Sequence, residues 1–164
     1  GVFRTYSDIL TGPSNCTSAI TLDGGTLDMT CRAIGMGAQT VTVFNARSGT
    51  LMNLGAFNNG APLVKTGSGT LTLDGTNTYA GATAVSNGVL RLTGGACLPP
   101  TAELYVSTGA ACQLDYTGNL FIHALYIDGV RRTGTLYGQA KLPAFFSGTG
   151  ILALPYQGTL MLCR

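Results

Sequence analysis

Charge is what this chain has least of. Asp, Glu, Lys and Arg make up 10% of its 164 residues, against about 25% in ordinary soluble proteins. The whole acid inventory is Asp8, Asp23, Asp28, Asp74, Glu103, Asp115 and Asp128, with no two adjacent. Glycoside hydrolysis needs two carboxylates across one cleft, and calcium-assisted lyase chemistry needs several close together. Asp23 and Asp28 straddle a Gly-Gly turn and are the one pair placed to converge. Asp74, Asp115 and Asp128 stand beside or near glycines and turns, where Asp commonly bonds its own backbone. The basic residues are equally dispersed, with Arg131-Arg132 as the only basic pair and a net charge of +2. A nucleic-acid surface needs a clustered basic patch, so no nucleic-acid partner is expected.

Other absences narrow the field further. No run of eighteen apolar residues exists, which excludes a transmembrane helix; no membrane insertion is expected. There is no CxxC, and a lone His123 does not complete a zinc site. His123 shares an alternating face with Phe121 and Leu125, so it reads as a partly buried structural residue. No Gly-x-Ser-x-Gly elbow occurs. Gly67-Ser68-Gly69 reads as a corner, and Lys65-Thr66 precedes its glycines, so no phosphate loop is formed. The expectation is a non-enzyme without catalytic residues, metal or cofactor. The chain begins at Gly1 with no recognisable signal peptide, so either a leader was removed or the numbering starts inside a longer product. Helical periodicity over twelve or more residues is also lacking.

What is present is a repeat. Gly-Thr-Leu or a close variant opens at Gly25, Gly49, Gly69, Gly88, Gly109, Gly134, Gly150 and Gly158. The first seven markers are spaced by 24, 20, 19, 21, 25 and 16 residues, a period that marks one structural unit stacked on the next. Leu71-Thr72-Leu73, Leu90-Arg91-Leu92, Leu152-Ala153-Leu154 and Leu160-Met161-Leu162 alternate with period two, the signature of a strand with one buried face. The 24 glycines suit tight corners. Asn59-Gly60 and Asn87-Gly88 are turn pairs, and Asp128-Gly129 is the strongest hairpin signal. The expectation is an all-β solenoid of about seven to eight short coils, roughly 35–40 Å long at the strand spacing. It reads as one domain over 1–164, with divergent N-terminal coils over 1–62, a recognisable repeat over 63–92, and closing coils with a hairpin-like end over 93–164.

Cys16, Cys31, Cys97 and Cys112 are disulfide candidates, with fifteen residues separating 16 from 31 and 97 from 112. Connectivity stays open, and five buried free thiols are the alternative. Disulfides would imply an oxidising compartment. One cysteine is left over under any pairing, and Cys163 is the candidate for a free or intermolecular thiol. Asn15-Cys16-Thr17 is a formal glycosylation sequon. Tyr79, Tyr105, Tyr116, Tyr126, Tyr137 and Tyr156 recur through the chain; exposed at coil spacing, they would make a sugar-binding strip, a covering for the solenoid or a subunit contact.

Residues 63–92 carry Lys65-Thr66-Gly67, Gly69-Thr70-Leu71, Asn77-Thr78-Tyr79, Gly81, Thr83 and Gly88. In this pattern the segment resembles the autotransporter-associated β-strand repeat, also called the passenger-associated transport repeat. Leu98-Pro99, Leu104-Tyr105-Val106 and Leu114 look like the coil that often follows such a repeat, and Ala124–Gly129, Gly134–Gly138 and Phe145–Gly150 look like the closing module of large bacterial surface proteins. The resemblance implies a right-handed parallel β-helix, secreted by a Gram-negative-type bacterium and displayed outside the cell. It also implies that Cys97 and Cys112, where the family usually carries small residues or Thr, are a disulfide added to the scaffold. The translocating barrel and the sorting helix of the family have no counterpart in these residues, so anchoring is expected to lie elsewhere.

A solenoid has two ends with unpaired edges over an apolar core, and natural ones cap them. Neither Gly1–Tyr6 nor Leu160–Arg164 reads as a charged cap. The expectation is an extracellular structural protein that stacks head to tail on itself, with Val2, Phe3, Tyr6, Leu160 and Leu162 as contacts and Cys163 as a covalent lock. A polysaccharide-binding passenger fragment is the alternative.

Overall fold

The computed structural model describes residues 1–12 and 17–155. In chain order its strands are β1 (Val2–Arg4), β2 (Ala19–Asp28), β3 (Val43–Met52), β4 (Leu63–Lys65), β5 (Thr70–Asp74), β6 (Thr83–Val85), β7 (Gly88–Thr93) and β8 (Glu103–Val106). They continue with β9 (Ala110–Asp115), β10 (Asn119–Phe121), β11 (Ala124–Ile127), β12 (Val130–Arg131), β13 (Leu136–Tyr137), β14 (Phe146–Gly148) and β15 (Ile151–Ala153). No α-helix occurs among the described residues.

The strands wind into a parallel β-solenoid with three faces. On the first face β1, the C-terminal parts of β2 and β3, then β5, β7, β9 and β14 stack in parallel. On the second face the N-terminal parts of β2 and β3 lead through β4, β6, β8 and β11. The third face is thinner: single bridges join Ile9, Ile34 and Phe57, and β10 later pairs with β15. The ten-residue strands β2 and β3 each run from the second face to the first, and their pairing shifts register at the corner between Leu22 and Thr26.

Alternation does the sorting. In β9 the burial pattern runs buried, half-buried without a break, and β5 shows the same rhythm at Leu71 and Leu73. Because pairing is parallel and in register, inward residues form rows along the rod. Leu27, Leu51, Leu73, Leu92 and Leu114 make one row, and Leu71, Leu90, Cys112 and Phe146 make another. The second face contributes Leu63, Thr83, Leu104 and Leu125, and beside them Leu22, Ala46, Lys65, Val85, Val106 and Ile127. Each fully buried leucine contributes about 1.5–3 kcal/mol of transfer free energy.

Two expectations are corrected. Among the described residues the first face holds seven rungs, β1 to β14, and so about six turns where seven to eight coils were expected; six steps of strand spacing make a rod of about 29 Å. Two markers open no first-face rung: after Gly134, Leu136-Tyr137 turns back and pairs antiparallel with Leu152-Ala153, and after Gly150, β15 pairs with β10 on the third face. The Gly158 marker lies outside the described residues. The marker spacing also departs from the register at two steps: Gly88 lies over Ala110, one residue past the Gly109 marker, and the other step is larger. Leu51 lies over Leu73 and Gly49 over Leu71, two residues from the alignment of Gly49 with Gly69. A slip of two keeps every side chain on its own face, so the alternation of Leu71-Thr72-Leu73 did not choose between the two.

The hairpin expected at Asp128-Gly129 is formed: both residues have positive φ, 51° and 76°, and they return β12 antiparallel to β11. Close stacking fixes one other glycine. Gly88 has φ 70°, and a Cβ there would sit 2.5 Å from the Gly67 carbonyl oxygen of the rung below. Leu92→Ala, which opens a gap between Leu73 and Leu114, is expected to lower stability by about 2–5 kcal/mol in chemical denaturation.

Candidate functional site

The repeat segment is held by polar groups turned inward, not by an exposed constellation. Lys65 follows Leu63 by two residues and so points the same way, into the core row between Ala46 and Val85. It is completely buried. Its Nζ donates to the carbonyls of Thr66 at 2.6 Å, Gly67 at 2.8 Å and Asn87 at 3.0 Å. A buried ammonium without a carboxylate must have every proton placed, and three carbonyls at a corner do that. Burial also draws its pKa below the ordinary lysine value.

Asn77 is the second inward group. Its Oδ1 accepts from the Leu54 N–H at 2.8 Å, while its Nδ2 donates to the carbonyls of Asp74 at 3.1 Å and Cys97 at 2.9 Å. One amide thus ties its own rung to the rungs on both sides. The Tyr79 hydroxyl lies 2.6 Å from Thr83 Oγ1, and both side chains are buried. Asn58 likewise pairs with both backbone groups of Val41, at 2.8 Å each. Composition gave no warning of these ties. The one available signal was phase, since Lys65 shares the parity of Leu63.

The acids do not converge. Asp23 is exposed, accepting from Ser48 Oγ at 2.8 Å with Arg47 at 3.8 Å. Asp28 is buried, where Asn53 Nδ2 donates at 2.9 Å, the Thr30 N–H at 3.1 Å and Arg4 Nε at 2.8 Å. The Asn53 bond leads in holding the Asp28 carboxyl below the usual carboxylate range. Asp115 is held low chiefly by Arg91, and Asp128 by the Thr108 hydroxyl. Asp74 accepts from the Gly75 N–H beside it, the turn chemistry expected. Among the described residues no cluster of three or more His, Cys, Asp or Glu is placed to hold a metal.

Several expected side chains sit elsewhere. His123 is exposed, not partly buried: the chain bends between β10 and β11, so Ile122, Ala124 and Leu125 all turn inward and the alternation breaks. Cys97 and Cys112 are free thiols buried at separate core positions, one in the turn after β7 and one inside β9. Each fills its site as a small apolar group, and burial pushes both thiols up to about 12. Cys31 is free and exposed, while Cys163 and the sequon residues Asn15 and Cys16 lie outside the described residues. Tyr79, Tyr116 and Tyr137 are core residues, and Tyr156 lies outside the described residues. Tyr105 and Tyr126 remain on the surface and stack on each other, 4.3 Å apart and 2° from parallel.

The two ends differ. At the C-terminal side β12 folds back on β11 and β13 pairs antiparallel with β15. At the N-terminal side β1 covers only the first face, and among the described residues no strand pairs with Ala19–Leu22 on its outer edge. A hollow of about 680 Å³ opens there, lined by Phe3, Ile9, Ile20, Leu22 and Leu27. Val2 and Phe3, which line it, are 68% and 61% exposed, and Tyr6 is 72% exposed; Leu160 and Leu162 lie outside the described residues.

Residues 63–92 match the family model of the passenger-associated-transport-repeat, which spans β4 to the penultimate residue of β7 and contains Lys65, Asn77, Tyr79 and Thr83. No curated protein and no solved structure matches the chain. The repeat and the β-solenoid fit a secreted, autotransporter-type passenger, and proteins of this kind are typically non-catalytic. No helix among the described residues is long and apolar enough to cross a membrane.

Lys65→Met is expected to cost about 2–4 kcal/mol in denaturant titration, because it leaves three corner carbonyls without their charged donor. Acid acts at a different corner. The folded pKa of Asp28 lies below its unfolded value, so its contribution is present above the unfolded pKa near 3.8 and is lost as pH falls through the folded value. Thermal melts are expected to weaken below pH 4, and Asp28→Asn should flatten part of that slope.

Proposed function

We propose that this chain is an extracellular structural solenoid, without catalysis, that joins end to end through its open N-terminal rung. The observation that carries this is the unequal finish of the rod. Among the described residues, an apolar hollow lies beside unpaired strand edges at one end, while antiparallel strands turn back at the other. Exposed parallel edges of this kind are templates for strand addition. A charge content of 10% leaves little repulsion to oppose contact between copies.

A polysaccharide-binding passenger draws less support. A sugar ring lies flat on an aromatic face, and Tyr105 and Tyr126 each cover one face of the other by stacking. The other tyrosines of the expected strip among the described residues, Tyr79, Tyr116 and Tyr137, are in the core.

Sedimentation velocity at rising protein concentration, with negative-stain images of the same samples, tests the proposal. Association that grows with concentration and produces rods in multiples of about 29 Å is expected, with shortening by reductant if a cysteine locks the joint. Single short rods at every concentration would sink it, and binding on a glycan array would then favour the polysaccharide reading.

A further inference from the structure

Two Asn-Gly pairs stand at corners of the solenoid, Asn59-Gly60 and Asn87-Gly88. Both asparagines are exposed to water. Such a pair carries a latent reaction. The glycine amide gives up its proton to hydroxide, and its nitrogen attacks the asparagine Cγ. The N–Cγ bond forms, the Cγ–Nδ2 bond breaks, and ammonia leaves with a proton drawn from water. Water then opens the five-membered succinimide at either carbonyl, giving aspartate or isoaspartate. Glycine favours the attack because no Cβ crowds its nitrogen. Sequence and exposure give the two pairs equal standing, and hydrogen bonding separates them.

At Asn59 both reacting groups are held by other partners. The Gly60 N–H donates to the Phe57 carbonyl at 2.8 Å. The Asn59 side chain is clamped on the Gly37 backbone, where Nδ2 donates to the carbonyl and Oδ1 accepts from the N–H, each at 2.9 Å. Attack on Cγ requires all three bonds to open.

At Asn87 the same two groups face each other. The Gly88 N–H donates to the Asn87 Oδ1 itself at 2.8 Å, so the nucleophile sits beside the group it attacks. Lys65 acts on the same peptide unit, its buried Nζ donating to the Asn87 main-chain carbonyl at 3.0 Å. When the Gly88 nitrogen loses its proton, the negative charge is shared with that carbonyl oxygen, where a fixed ammonium stabilises it. We propose that Asn87-Gly88 is a self-modification site of this solenoid, converting spontaneously to aspartate and isoaspartate, while the fold keeps Asn59-Gly60 unreactive.

The product changes the corner that the matched repeat depends on. Isoaspartate adds one methylene to the main chain between residues 87 and 88. There Gly88 packs closely on Gly67, and Lys65 holds the Asn87 carbonyl. Either product also adds a negative charge to a chain whose net charge is +2. The modification belongs to the single rod and stands whether or not rods associate.

The test incubates the full chain at neutral pH in heavy-oxygen water, folded and in concentrated urea, and follows both sites by peptide mass spectrometry. In urea the two asparagines should convert at similar rates, since neither the Gly37 clamp nor the Lys65 contact survives there. Folding should slow Asn59 by about tenfold or more relative to Asn87, because its hydrogen bonds must open first. Lys65→Gln, checked for fold by circular dichroism, should convert several-fold more slowly at Asn87 with Asn59 unchanged. A lysine that only braces the corner would instead leave Asn87 unchanged or faster, and that result would overturn the role given to Lys65. Asn59 and Asn87 slowed alike by folding, or Asn59 reacting first, would overturn the site itself. The wild-type comparison decides this even where Lys65→Gln fails to fold.

Discussion

No rung of this solenoid buries its own apolar face. Each inward leucine is covered above and below by the residue in register on the adjacent rungs, as Leu73 lies between Leu51 and Leu92. Stability is therefore a property of neighbours, close to a sum of rung-to-rung terms. The parallel ladder sets the spacing, and that spacing allows one side chain per rung at each inward position. Everything else in the molecule accommodates this dependence: corners tight enough to return the chain, polar groups that do not interrupt the rows, and some device at each end.

The corners solve their hydrogen-bonding problem with side chains from inside. A turn that leaves a strand ladder carries carbonyls and N–H groups with no partner strand. Lys65 gathers three such carbonyls, and Asn77 serves three rungs with one amide. Asn53 connects the Asp28 corner to the Thr76 N–H, one rung further. These ties are specific where leucine rows are not. A row tolerates a slip of two residues, whereas a buried ammonium displaced by one rung would face aliphatic neighbours. The polar residues of the matched repeat thus supply register to a scaffold whose apolar pattern is ambiguous.

The ends give the rod a direction. Antiparallel pairing at β12 and β13 stops the parallel ladder on the side where the chain has turned back on itself. At the opposite end β1 pairs with the first-face half of β2, and among the described residues no strand pairs with the outer edge of Ala19–Leu22. The surface between the ends is weakly charged and, at Tyr105 and Tyr126, self-stacked.

The architecture was legible in the sequence because it depends on local rules. Glycine-marked alternation at a twenty-residue period specifies strands, corners and stacking, and Asp128-Gly129 specifies its hairpin from two residues. The repeat over 63–92 was equally plain. Tertiary structure alone decided the rest. Alternation has period two, so it could not distinguish Leu71 from Leu73 as the partner of Leu51. Nor could it foresee that the bend before β11 exposes His123, or that Cys97 and Cys112 serve as separate core fillers. A marker such as Gly134 reads the same whether its strand continues the stack or folds back against it. That choice is made by which edge remains unpaired when the chain arrives, and an unpaired edge exists only once the other rungs are in place.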